Sequence, residues 1–79
     1  ILFLIEVAES SLVYDREVKL PLYAASGIPE IWIINLEKKC IEVYTQPDSN
    51  SYTLQQVFAT GDTINTDLVK AFEVGYLFD

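Results

Sequence analysis

The chain has 79 residues, 51% of them hydrophobic and 13% aromatic, with five Lys and Arg against twelve Asp and Glu for a net charge of −7. That length allows one domain at most, and that apolar content excludes a disordered chain. The acidic balance argues against general DNA binding by this segment, because nucleic-acid surfaces carry basic patches.

Few polar residues remain to cover the outside of so apolar a chain. A partner chain or further sequence is expected to cover the excess, and a homodimer is the expected assembly. No stretch approaches the roughly 20 apolar residues that a membrane span needs, so no membrane association is expected. The single Cys40 rules out a disulfide framework and fits a reducing cytoplasmic setting.

In chain order, the run Ile1-Leu2-Phe3-Leu4-Ile5, closed by Glu6, predicts a strand over residues 1–7 buried on both faces. Buried strands rarely make natural termini, so Ile1 reads as an internal point of a longer protein, with the domain truncated at its N-terminus. A secretory signal fits the run poorly: it is short, no basic residue precedes it and Glu6 follows at once. Ser10 and Ser11 are candidate N-caps. A helix is predicted over residues 13–26, with Tyr14, Val18, Leu22 and Ala25 as its apolar stripe and Asp15, Lys19 and Tyr23 as a neighbouring one. Pro21 should kink that helix, or divide it into two short helices meeting near Leu20. Gly27 suits the left-handed position that ends a helix, and Pro29 prevents continuation.

A second strand is predicted at 31–35, around Trp32. A charged turn, Glu37-Lys38-Lys39, leads to a third at 40–45, whose alternation Ile41-Glu42-Val43-Tyr44 suggests one wet face. The turn Pro47-Asp48-Ser49-Asn50 precedes a fourth strand at 51–59, and Gly61-Asp62 turns again. In the tail, Leu68, Val69, Phe72, Val74 and the run Tyr76-Leu77-Phe78 are expected to pack back on the sheet. Strand, helix, strand suggests a parallel crossover, and the later turns suggest hairpins. The fold class is α/β of the mixed α+β kind: one mixed sheet with a helix after its first strand.

The absences narrow the chemistry. Without histidine there is no Ser-His-Asp triad, no Cys-His pair and no imidazole ligand, and one cysteine cannot make a thiolate zinc site. Three scattered glycines make no phosphate-cradling loop. What remains is carboxylate chemistry with hard, oxygen-ligated metals, or no chemistry. Glu6 ends an apolar strand, where a carboxylate is paired, protonated or metal-bound, or simply marks the strand's emergence into water. Lys19 on the following helix could neutralise charge on a phosphate or orient water. It could equally pair with Asp15 one turn earlier, an interaction of roughly 0.3–0.5 kcal/mol. Glu9 and Asp15 could each add a carboxylate, or complement a helix dipole. Trp32 and the tyrosines read most simply as core or interface aromatics.

Three segments together carry a resemblance. These are Ile5-Glu6-Val7-Ala8-Glu9-Ser10-Ser11-Leu12, then Tyr14-Asp15-Arg16-Glu17-Val18-Lys19-Leu20, then Tyr23-Ala24 with Gly27-Ile28-Pro29-Glu30-Ile31-Trp32-Ile33-Ile34-Asn35-Leu36. The combination resembles the Uma-two family of bacterial proteins, whose fold is similar to the restriction-endonuclease-like PD-(D/E)xK nucleases. The first half of the chain matches closely, and Ile41-Glu42-Val43-Tyr44 looks like the family's following hairpin.

The resemblance implies a metal-dependent endonuclease acting on DNA, with Mg²⁺ or Mn²⁺ as cofactor. It implies Glu6 as a catalytic, metal-ligating carboxylate with the backbone carbonyl of Val7 beside the metal. Ala8 stands where the element usually has lysine, and Lys19 matches the place to which this family has moved it. Asp15 matches an acidic position that would orient Lys19, and Tyr23 has no role assigned. The family's first catalytic aspartate would precede Ile1, so the segment alone is expected to be inactive. The competing reading is a non-catalytic interaction or dimerisation module that kept the nuclease fold.

Overall fold

The computed structural model describes residues 3–8 and 15–78. The expected caps Ser10 and Ser11, the carboxylate Glu9, the predicted helix start at Val13 with Tyr14, and the side chain of Asp15 lie outside the described residues.

Four strands form one mixed sheet in the order β1 (Phe3–Ala8), β2 (Glu30–Asn35), β3 (Cys40–Pro47), β4 (Tyr52–Ala59). β1 runs parallel to β2, with Glu6 opposite Ile33, and the remaining pairs are antiparallel. Between β1 and β2 the chain forms a π-helical turn, Asp15–Lys19, that runs directly into α1, Leu20–Ala25. The tail adds a two-stranded sheet of β5 (Thr63–Ile64) and β6 (Phe72–Glu73), then a single turn, α2 (Gly75–Phe78). The protein is therefore a mixed α+β fold.

Sequence explains the crossover. Pro21 lies near the start of α1, where it has no N–H to give to the carbonyls of the preceding π-helical turn. The division near Leu20 is thus the outcome, rather than a kinked single helix. At the far end the Ile28 amide donates to the Tyr23 carbonyl (3.1 Å) and the Gly27 amide to that of Ala24 (2.9 Å). With Gly27 at φ 76°, this is a Schellman stop, a conformation that glycine adopts without strain.

The helix presents a different stripe from the expected one. Val18, Leu22 and Ala25 face outward, while Leu20 and Ala24 are buried and Tyr23 packs on the same cluster. The π-helical turn changes the phase of the helix, so spacing counted at 3.6 residues per turn selects the wrong face.

Strand periodicity divides the sheet into two faces. Beneath the helix, Ala8, Ile31, Ile33 and Tyr44 join Leu20 and Ile28. On the reverse, Trp32, Ile34, Ile41 and Val43 join Ile64 and Val74, with Phe72 and Phe78 packed around them. The tail does pack back on the sheet, although Leu68, Tyr76 and Leu77 stay exposed.

Two expectations about burial need correction. β1 is an edge strand of the described sheet, and Ile5 and Val7 on its reverse face are exposed rather than buried. β3 has no wet face from Cys40 to Tyr44, because the helix covers the side that carries Glu42.

Candidate functional site

Glu6, Ile33 and Glu42 stand in one row across the sheet, on the helix-covered face. Two strand spacings separate the carboxylates' Cα atoms, roughly 10 Å. The helical crossover lays one basic residue against each carboxylate. Arg16 and Lys19 both belong to the π-helical turn, Arg16 reaching Glu42 and Lys19 reaching Glu6.

At the first point, Lys19 Nζ lies 3.4 Å from Glu6 Oε1, and the Tyr23 hydroxyl donates to Glu6 Oε2 at 2.7 Å. The side chains of Glu6 and Lys19 are 22% and 35% exposed, so the pair is open to solvent and to a ligand. β1 ties the backbone at Glu6 to β2. The Ala8 carbonyl accepts from the Leu36 amide across β2 (3.0 Å). Alternate residues of a parallel strand bond to the same side, so Glu6 is tied to β2 and the Val7 carbonyl points to the outer edge. That edge is unpaired among the described residues.

The second point is closed. Arg16 binds Glu42 through both Nε (2.8 Å, to Oε1) and Nη2, to Oε2. The Tyr44 hydroxyl also donates to Glu42 Oε1 (2.6 Å) and accepts from Gln55 Nε2 (3.1 Å). The Glu42 side chain is 3% exposed. Burial alone would push its carboxyl up, but the hydrogen bonds from Arg16 and Tyr44 outweigh it and hold the pKa below the ordinary carboxylate value. The Glu42 hydrogen bond raises Arg16 in turn. Burial, followed by the bond to Glu42, pushes the Tyr44 phenol well above its usual range. A cavity of about 530 Å³ opens beside this cluster, between Arg16, Tyr44, Tyr52 and Gln55.

The structure thus brings Glu6 and Lys19 together from different elements, while the Val7 carbonyl points away from β2 toward the open edge. The alternative pairing of Lys19 with Asp15 involves a side chain outside those described. Sequence reasoning missed the Arg16–Glu42 pair and the hydroxyl that Tyr23 gives to Glu6. A signal for the second was present, since Tyr23 sits one turn after Lys19 on the same stripe.

Comparison with known families decides the kinship. A family model, Uma2, described as "Putative restriction endonuclease", matches residues 1–76. The chain belongs to the Uma2 family. No curated protein and no solved structure matches it. Membership in Uma2 supports a nuclease-like function for the fold described above.

A divalent metal is the cofactor that such a family implies. The donors here fit by type, since Glu6 and the Val7 carbonyl both offer hard oxygen. They fall short in number: among the described residues no three His, Cys, Asp or Glu side chains gather to hold a metal ion. No helix among those residues is long and apolar enough to cross a membrane.

Proposed function

We propose that this Uma2 chain carries the carboxylate–lysine part of a metal-dependent endonuclease that hydrolyses phosphodiester bonds in DNA. The observation that carries this reading is the Lys19 ammonium 3.4 Å from the Glu6 carboxylate, on the exposed edge of an otherwise covered face. Glu6 and the Val7 carbonyl would hold Mg²⁺ or Mn²⁺, with further oxygens from water, substrate or residues beyond those described. Bound there, the ion supplies Lewis-acid polarisation of the phosphate.

The protein's own residues have separate tasks. Tyr23 fixes the rotamer of Glu6 through its 2.7 Å hydrogen bond. Lys19 offers a fixed positive charge for the negative charge that develops on a phosphate under attack, and donors that orient a water. With one carboxylate among its described metal-binding groups, this segment alone is expected to cleave nothing, and a longer protein carrying a second acidic ligand is expected to be active.

The test is Mg²⁺- or Mn²⁺-dependent cleavage of DNA by that longer protein and by this segment, with Glu6→Ala and Lys19→Ala controls. Full activity in either variant, or activity of the segment alone, sinks the assignment.

A second reading has an observation of its own. Ile5 and Val7 are 47% and 60% exposed on the reverse face of the edge strand β1, a surface suited to packing against another copy as a non-catalytic dimerisation module in the cytoplasm. Light scattering that gives a stable dimer, with no change on Mn²⁺ titration, favours it. A saturable Mn²⁺ site that Glu6→Ala abolishes favours the nuclease.

A further inference from the structure

Three carboxylates of the main sheet lie under a covering layer, and two of them have a cation. Glu6 has Lys19 and Glu42 has Arg16. Glu30, the first residue of β2, is 2% exposed and faces the tail. Its Oε2 accepts from the Trp32 indole N–H (2.7 Å) and from the Thr66 hydroxyl (2.9 Å). Both donors are neutral. Its Oε1 has no hydrogen-bond partner among the described residues. No side-chain polar atom of those residues is both buried and unpartnered, so Oε1 keeps a small exposed surface.

Glu30 lines a cavity of about 500 Å³, a size common for small-ligand sites. Asp67 adds a second carboxylate to the wall. Gln46, Gln56 and Asn65 add amides, and Leu54 adds an apolar flank. Among the described residues no lysine or arginine lines the cavity. A buried carboxylate is costly unless it is paired, and Asp67 adds negative charge beside this one while no cation lines the wall among the described residues. A bare metal ion would leave most of such a volume unfilled. An organic cation with an aliphatic stem suits both the charge and the apolar flank.

We propose that this cavity, on the sheet face opposite Glu6, binds an alkylammonium or alkylguanidinium group, with its head on Glu30 Oε1 and Asp67 and its stem against Leu54 and Leu68. The source is a free amine or guanidine, or a basic side chain of a partner protein.

Trp32 is the only tryptophan in the chain, and its indole N–H is bonded to Glu30, so it reports on the site. The full chain is titrated with butylammonium and butylguanidinium while the indole resonance is followed by NMR, with butylurea as the uncharged control. The expected result is a saturable shift with both cations and none with butylurea. Glu30→Gln keeps an acceptor for Trp32 and should weaken binding by about tenfold or more. Asp67→Asn, on an exposed loop, should weaken it by about threefold, in the range of an exposed ion pair. Comparing butylguanidinium with a blocked Gly-Arg-Gly peptide separates the sources, the tighter ligand identifying the natural one. Equal shifts with butylurea overturn the proposal, as does undiminished binding in Asp67→Asn, which reads the site even if Glu30→Gln fails to fold.

Discussion

The two faces of the sheet are held by different chemistry. Under the helix, Arg16 and Lys19 dock on Glu42 and Glu6, so the crossover is fastened by directional ionic contacts at two points. Under the tail, Trp32 is gripped edge-on by Phe3 and Phe72 at ring-centroid distances of 5.2 and 5.3 Å. Aromatic packing fills space and gives stability, whereas ion pairs fix side chains in place. The face that carries the proposed Glu6–Lys19 site uses the second. The two ion pairs also differ from each other. Arg16–Glu42 is closed and satisfied, which suits an anchor, while Lys19–Glu6 is exposed and loosely spaced, which leaves it able to exchange partners.

The comparison is broken most severely at Trp32. Trp32→Ala removes the centre of the tail-covered core and should cost about 3–5 kcal/mol in urea unfolding. A loss under about 1 kcal/mol would mean that the tail contributes little to holding the fold.

Next comes the anchor. Arg16→Met strands a buried carboxylate. Such a loss is typically 3–5 kcal/mol, and the 41% exposure of the Arg16 side chain reduces the expectation to about 2 kcal/mol. Adding Glu42→Gln should restore most of that loss, because the charge that lacked a partner is gone. The pH dependence has a definite sign. The folded-state pKa of Glu42 is depressed, so its contribution is complete above the unfolded carboxylate value of about 4.3 and is lost as pH falls through the lower folded value. The raised Tyr44 phenol acts at the other end, and stability declines above about pH 10, where the unfolded chain ionises and the folded one does not. Urea midpoints at several pH values, with Arg16→Met as control, should show the acid limb flatten in the variant.

The smallest structural effects are expected at the candidate site. Removing the exposed Lys19–Glu6 contact by Lys19→Ala should change stability by about 0.2–1 kcal/mol from that pair, yet abolish metal-dependent cleavage by the longer protein. Tyr23→Phe should leave cleavage measurable and weaken it, because Glu6 loses its orienting hydrogen bond. A large stability loss with intact cleavage in Lys19→Ala would instead make Lys19 a second anchor.

Strand positions were legible because apolar runs and turn residues bound them, and Gly27 with Pro29 marked the helix end. The parallel crossover followed from the element order. Glu6 and Lys19 became site candidates through the family spacing, since position alone left each with a bland alternative. The helix face was misread because nothing in the pattern announces a π-helical turn. The dry face of β3 was misread because Ile41-Glu42-Val43-Tyr44 alternates like a half-wet strand. Only the arrival of Arg16 from a distant element makes a buried Glu42 tolerable, and such pairing is invisible to local periodicity.

The parallel pairing of β1 with β2 also bears on when the candidate site comes into being. Within β2–β3–β4 each strand meets the next across a tight turn, Asn35 facing Cys40 and Pro47 facing Tyr52. Phe3 must find Glu30 across the whole helical crossover. Contacts between sequence neighbours close at less entropic cost, so the three-stranded meander is the natural nucleus, and β1 with its helix docks upon it late. What assembles last commonly opens first. The amides of β1 should then exchange with deuterium ahead of those in β3, and the carboxylate and lysine would be separated by partial opening while the rest of the sheet is still folded.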